Sequence, residues 1–153
     1  QYGGNQETGM RPGTLPVPLI VGLAKAAEIA NDSLEEYANR FAMLRDKLWV
    51  GLKNNVPDLL LNGSLERRLP NNLNFTVQGI RGSKLHKKLR PYISCSSGSA
   101  CSNGEPSHVL RSLGRTQEEA EASLRLSIGR ATNLGEIDKA IEIISREINE
   151  LRN

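Results

Sequence analysis

The chain has 153 residues, 38% hydrophobic but only 4% aromatic, the size of one domain whose core must come from Leu, Ile, Val and Ala. Lys and Arg number 20 against 17 Asp and Glu, for a net charge of +3 and a pI near 9.0. The two signs are interspersed, which argues against the clustered basic face with stacking aromatics of a nucleic-acid binder. No stretch approaches the roughly 18–20 apolar residues that cross a bilayer, and the first residues show neither the basic n-region nor the apolar h-region of a secretory signal.

Residues 1–15 hold four glycines and a proline and read as an ordered loop or linker, followed by a domain over 16–153. The start at Gln1, without Met and within a glycine-rich turn, is expected for a piece of a longer chain. Leu19, Ile20, Leu23, Ala27 and Ala30 keep helical spacing. A second helix is predicted from Ser33, where Ser33-x-x-Glu36 is a capping box, with Leu34, Tyr37, Phe41, Leu44, Leu48 and Leu52 as a core stripe. Pro57 stops it. Leu59–Leu61 is a short apolar run, and Leu73, Phe75 and Val77 alternate with Asn74, Thr76 and Gln78 as in a half-buried strand.

Lys84 to Leu89 reads as a short helix ended by Pro91, and Ile93 to Cys95 as a strand stub. Pro106 suits the first turn of a helix that Gly114 ends, and Thr116-x-x-Glu119 is a second capping box. Leu124, Leu126 and Ile128 alternate with Arg125 and Ser127 as a third strand. A last helix from about Leu134 carries Ile137, Ala140, Ile141, Ile144, Ile148 and Leu151 on one face. Helices and short strands without strict β-α-β alternation predict an α+β (α/β) layer, a short sheet packed on helices.

Chemistry concentrates between Cys95 and Glu105. Small residues flank Cys101 in Ser96-Ser97-Gly98-Ser99-Ala100-Cys101-Ser102, leaving its thiol unshielded and its backbone free to move. Nearby cations or a helix start, such as that at Pro106 with His108 in its first turn, would favour the thiolate, the attacking form. On these grounds an inert thiol and a nucleophile are equally served. Cys95 reads as a buried small hydrophobe. Two cysteines six positions apart suit a reducing compartment, cytoplasm or organelle matrix, better than a disulfide. Cys95, Cys101 and His108 lack the paired spacing of a zinc site, so no metal is expected. Arg125, opposite the buried leucines of its strand, suits a carboxylate with its planar fork, or is an ordinary solvated arginine.

The segment Ser96 to Ser102, followed by Glu105-Pro106-Ser107-His108-Val109-Leu110 and Leu113-Gly114, resembles the active-cysteine region of the NifS/IscS branch of cysteine desulfurases. Leu124-Arg125-Leu126-Ser127-Ile128-Gly129-Arg130 with Glu136-Ile137-Asp138 resembles that family's closing strand and helix. Gly3-Gly4-Asn5-Gln6-Glu7 with Arg11-Pro12-Gly13-Thr14, and Pro70-Asn71-Asn72-Leu73-Asn74, resemble further family segments in the same order. The resemblance implies the small C-terminal domain of a fold-type-I, class-V aminotransferase-like enzyme dependent on pyridoxal 5'-phosphate. In that family L-cysteine becomes L-alanine and a persulfide forms, here on Cys101 in an active-cysteine loop over 95–105.

By the same resemblance Arg125 holds the substrate carboxylate. Thr14, in the 1–15 loop, binds the cofactor phosphate of the neighbouring subunit in a homodimer. Gly98, Ser99 and Ala100 act as hinge, and the acceptor is an iron–sulfur scaffold protein or another sulfur carrier. The sequence departs from the family in two respects. Only Ser102-Asn103-Gly104 separate Cys101 from Glu105, and the Schiff-base lysine belongs to a histidine-lysine motif upstream of this chain. His86-Lys87 lacks that motif's glycine-rich context and reads as a decoy, so the chain alone is expected to be inactive. The alternatives are a cystine or selenocysteine lyase of the same fold, or a non-catalytic module that docks a sulfur acceptor.

Overall fold

The computed structural model describes residues 2–96 and 106–153. It divides into two compact units, Gln1–Glu36 and Tyr37–Asn153. In the first, the loop is tied to itself: the Gly13 amide donates to Gln6 Oε1 at 3.0 Å, and Arg11 Nη1 donates to the carbonyls of Gly13 (3.0 Å) and Thr14 (3.1 Å). Within its 3-10 turn, Gln6–Gly9, Glu7 and Thr8 take φ of 51° and 55°, a left-handed conformation that costs a side-chain-bearing residue about 1–2 kcal/mol.

Helix α1 (Val17–Asp32) begins with a proline in its first turn, where the missing N–H has no intrahelical partner to lose. The predicted helix forms, but none of its residues is buried, and Leu19 and Leu23 are each 73% exposed. The box expected at Ser33 does not form. Ser33, at φ −105° and ψ 6°, closes α1 and lies outside the extended region that an N-cap adopts.

Helix α2 (Leu34–Asn55) places Leu44, Leu48 and Leu52 in the core of the second unit. The predicted stripe is buried only in this C-terminal half: Leu34 is 67% exposed, and Tyr37 stacks on a half-buried Phe41 at 5.7 Å. Strands β1 (Leu59–Leu61), β2 (Asn72–Val77) and β3 (Ser123–Ser127) form an antiparallel sheet in the order β1-β2-β3, with Leu61 opposite Phe75 and Asn74 opposite Arg125. Alternation then gives the sheet two unlike faces. Leu59, Leu73, Phe75, Val77, Leu124 and Leu126 join the core with Trp49, whose ring lies 6.0 Å from that of Phe75. Each such Leu or Phe contributes about 1.5–3 kcal/mol on leaving water. The other face carries Asn72, Asn74 and Thr76 on β2 with Ser123, Arg125 and Ser127 on β3.

Helix α3 (Gly82–Leu89) begins two residues earlier than predicted, on Gly82. A Cβ there would sit 1.7 Å from the Glu121 carbonyl oxygen, so the helix approaches that backbone as only glycine allows. Gly82→Ala is expected to lower stability by about 2–3 kcal/mol, as overpacking does, and the thermal midpoint by roughly 5–12 °C. Gly129→Ala is the control, since its Cβ would meet nothing nearer than Thr132 Oγ1 at 3.9 Å. Equal melting of the two variants would refute the packing argument.

Helix α4 (His108–Ser112) is shorter than predicted. Pro106 precedes it, and the Leu110 amide donates to the Ser107 hydroxyl, making Ser107 the N-cap. Gly114, at φ 87°, ends it as expected, with the Arg115 amide donating to the Leu110 carbonyl at 3.1 Å. The Thr116–Glu119 box forms at the start of α5 (Gln117–Glu121). Helix α6 (Leu134–Arg152) starts on an equivalent box, Asn133 with Glu136, and packs Ile137, Ile144 and Ile148 onto the core.

Candidate functional site

The polar face of the sheet is held by a side-chain network. Asn62, just past β1, donates from Nδ2 to Asn74 Oδ1 (2.7 Å) and Ser123 Oγ (3.1 Å). Its Oδ1 accepts from Thr76 Oγ1 (3.1 Å) and Arg115 Nε (2.6 Å), and its carbonyl accepts from Arg68 Nη2 (2.7 Å). Thr76, Ser123 and Asn62 are 0%, 2% and 4% exposed, so these bonds offset a desolvation cost that an unpaired group would bear in full. Arg115 and Arg68 thereby fasten two chain segments to this face, the turn after α4 and the loop 62–68.

Arg125 stands on the same face, beside Asn74 across the strand pair. Its guanidinium makes no hydrogen bond or ion pair among the described residues. Both of its backbone groups face away from β2. The Arg125 amide donates to the Ser96 carbonyl at 3.0 Å, and the Ser96 amide donates to the Arg125 carbonyl at 3.1 Å. The predicted stub at 93–95 is therefore no strand; one bridge at Ser96 replaces it. Arg125 also lines a cavity of about 420 Å³ with Arg67, Arg68, Asn72, Asn74 and Ser107 among its walls. Both flanks of the cysteine-bearing segment thus meet Arg125 or its cavity: Ser96 by the bridge, Ser107 at the wall. Cys101 itself lies outside the described residues.

Cys95 is half-buried against the core, less enclosed than predicted, with its Sγ 3.6 Å from His86 Nδ1. Burial pushes the Cys95 thiol up and holds the His86 imidazole down. The Ser123 carbonyl opposes the shift of His86 in part, although buried Nε2 has no partner of hydrogen-bond geometry. A protonated thiol donating to Nδ1 fits these directions and makes Cys95 a poor nucleophile. Folding therefore disfavours the imidazolium, so the unfolded chain binds the extra proton. Stability is present above pH ~6.5 and lost as pH falls below it. His86→Gln should flatten the loss of urea stability between pH 7 and 5; an unchanged slope would exclude His86 as its source.

Helix α4 has only one and a half turns, and its Leu110 amide is occupied by Ser107, so the expected helix start adds little to a nearby thiolate. The cation brought to the segment's backbone is Arg125. Thr14 lies exposed in the first unit, its hydroxyl without a partner among the described residues and its carbonyl held by Arg11. It fits a phosphate contact. Among the described residues no lysine is buried, and Lys87 is exposed on α3; with Thr14 and Arg125, the residues present fit pyridoxal phosphate as contributors to its site. Among the described residues no group of three His, Cys, Asp or Glu could hold a metal, and no helix is long and apolar enough to cross a membrane.

Sequence reasoning singled out Arg125 but missed Asn62, Arg67 and Arg68. The one available signal was that Asn74, between buried Leu73 and Phe75, must share a face with whatever opposes it. The fold and this site place the chain among class-V aminotransferases: the aminotransferase class-V family matches residues 2–140, and the chain belongs to it. It is 44% identical to the cysteine desulfurase IscS of Pectobacterium atrosepticum, over 99% of this chain and 38% of the relative. The chain therefore spans well under half the length of that protein. A NifS-like protein of known structure superimposes with a TM-score of 0.85 at 36% identity, over 99% of this chain and 39% of the other. A NifS-like protein from Rickettsia africae gives 0.81 at 28%, over 97% and 39%.

Proposed function

We propose that this chain is the sulfur-handling C-terminal portion of a pyridoxal-phosphate-dependent cysteine desulfurase that supplies sulfur for iron–sulfur clusters. The observation that carries the reading is the Ser96–Arg125 bridge, which ties the cysteine-bearing segment to the strand of the carboxylate-binding arginine. Cys101 is five residues beyond Ser96, and five residues reach at most about 17 Å. Arg125 and Cys101 can therefore meet one small substrate, the guanidinium on its carboxylate and the thiol on its sulfur.

Arg125 orients the substrate by its carboxylate, which fixes where the substrate sulfur lies. The Cys101 thiolate attacks that sulfur: a sulfur–sulfur bond forms, the carbon–sulfur bond breaks, and the carbon fragment takes a proton to leave as alanine. The cofactor, held in part by Thr14 from a partner subunit and by a lysine outside this chain, supplies the electron sink for this cleavage. The 1–15 loop is thus a contributor to the cofactor site, and residues 16–153 form the small domain. Cys101 then passes its persulfide sulfur to an acceptor in a reducing compartment, cytoplasm or organelle matrix.

Full-length protein given L-cysteine should release alanine in step with sulfur transfer to a thiol acceptor. Pyruvate and ammonia in place of alanine would point to a lyase and overturn the reading.

A further inference from the structure

We propose that Arg67 is a specificity-determining second cation of the Arg125 cavity, which makes that cavity a two-guanidinium receptor for small carboxylates. The proposal rests on the desulfurase reading only for the identity of its natural ligand.

Arg67, Arg68 and Arg125 all line the cavity, together with Asn62, Asn72 and Asn74, and among the described residues no Asp or Glu is in its walls. The guanidiniums of Arg67 and Arg125 have no partner among the described residues. Arg68 is committed elsewhere, donating to the carbonyls of Ser64 (2.5 Å) and Asn62 (2.7 Å), and its buried Nη1 is left without a partner. Burial, and after it the charge of Arg45, lowers the Arg68 pKa. Like charges gathered in a concavity raise the potential there and concentrate anions. A volume near 420 Å³ suits a small molecule rather than a chain segment.

Arg67 is also placed with some precision. The Ser64 hydroxyl accepts from the amides of Glu66 and Arg67, each at 3.1 Å, while Arg68 holds the Ser64 carbonyl. The loop bearing Arg67 is therefore fixed to the sheet through Asn62, and its guanidinium gives up little backbone freedom on binding. One carboxylate can take a fork from each arginine, or a second anionic group can take the second fork.

The test titrates the 153-residue chain with sodium acetate, and separately with inorganic phosphate at equal ionic strength, following the arginine Nε–Hε resonances by NMR. Arg125 and Arg67 signals should shift together with one dissociation constant for acetate. Arg67→Gln should weaken acetate about tenfold, the scale of one charge-assisted contact, and Arg67→Lys should fall between. Phosphate binding tighter than acetate would replace the carboxylate assignment with an oxyanion of another class. Arg67→Gln, folded as judged by an unchanged melting midpoint and binding acetate like the parent, would overturn the proposal and leave the Arg125 reading intact. In the full-length enzyme the same substitution should raise KM for cysteine while kcat holds; a fall in kcat alone would contradict it. Loss of acetate binding in both Arg67→Gln and Arg125→Gln with no desulfurase turnover in the parent would keep the receptor and sink the desulfurase reading.

Discussion

Cys101→Ala in the full-length protein should abolish alanine release from L-cysteine while leaving substrate binding near its original strength. Alanine has no atom that can accept the sulfur, so the carbon–sulfur bond keeps its leaving group but loses its nucleophile. The remaining rate should lie several orders of magnitude below that of the parent, the range seen when an attacking group is removed. Cys95→Ala provides the comparison. Its thiol is half-buried, pushed up in pKa and engaged with His86, so its loss should cost stability and little turnover. Normal turnover by Cys101→Ala would mean that the cleavage proceeds without a protein thiol, as in a lyase.

The second large effect is expected at Arg125. Arg125→Gln removes a guanidinium that has no partner among the described residues and should lower kcat/KM for cysteine by about 10²–10³-fold, as the loss of a bidentate charged contact does. Most of the loss should appear in both KM and kcat, because a substrate untethered at its carboxylate no longer presents its sulfur to Cys101. Arg125→Lys keeps the charge but not the planar fork, so it should recover only part of the activity. The backbone of residue 125 keeps its two bonds to Ser96 and its place opposite Asn74 with any of these side chains, so the fold should hold. Equal kcat/KM for parent and Arg125→Gln would remove the carboxylate role.

The elements of the fold were largely legible where one face alone decides the pattern. Leu73, Phe75 and Val77 alternate because β2 buries one side of its pleat, and Ile137, Ile144 and Ile148 keep step because α6 does the same around its axis. Legibility failed where spacing and burial part company. Leu34 continues the apolar stripe of α2 yet is exposed, and α1 has helical spacing with no buried residue, because a stripe does not say what covers it. Ser33 satisfied the letter pattern of a capping box, whereas Asn133 formed one unannounced; backbone geometry at the cap decides, and four letters do not contain it.

The site divides in the same way. Arg125 stood out because strand alternation alone sets its face. The Ser96 bridge did not, since a single paired residue has no period to detect. The Asn62 network joins side chains 12 to 61 positions apart, and nothing local marks Asn62 as the partner of Ser123 or Arg115. Cys101, Thr14 and the cofactor became legible through the order of the family's motifs, which no composition or spacing supplies.

The central claim is that Cys101 becomes a persulfide. Full-length protein incubated with L-cysteine, alkylated and digested, should yield a Cys101 peptide heavier by one sulfur atom, an increment that dithiothreitol removes before alkylation. The Cys95 peptide should not carry it. An unmodified Cys101 peptide from protein that is actively producing alanine would contradict the account.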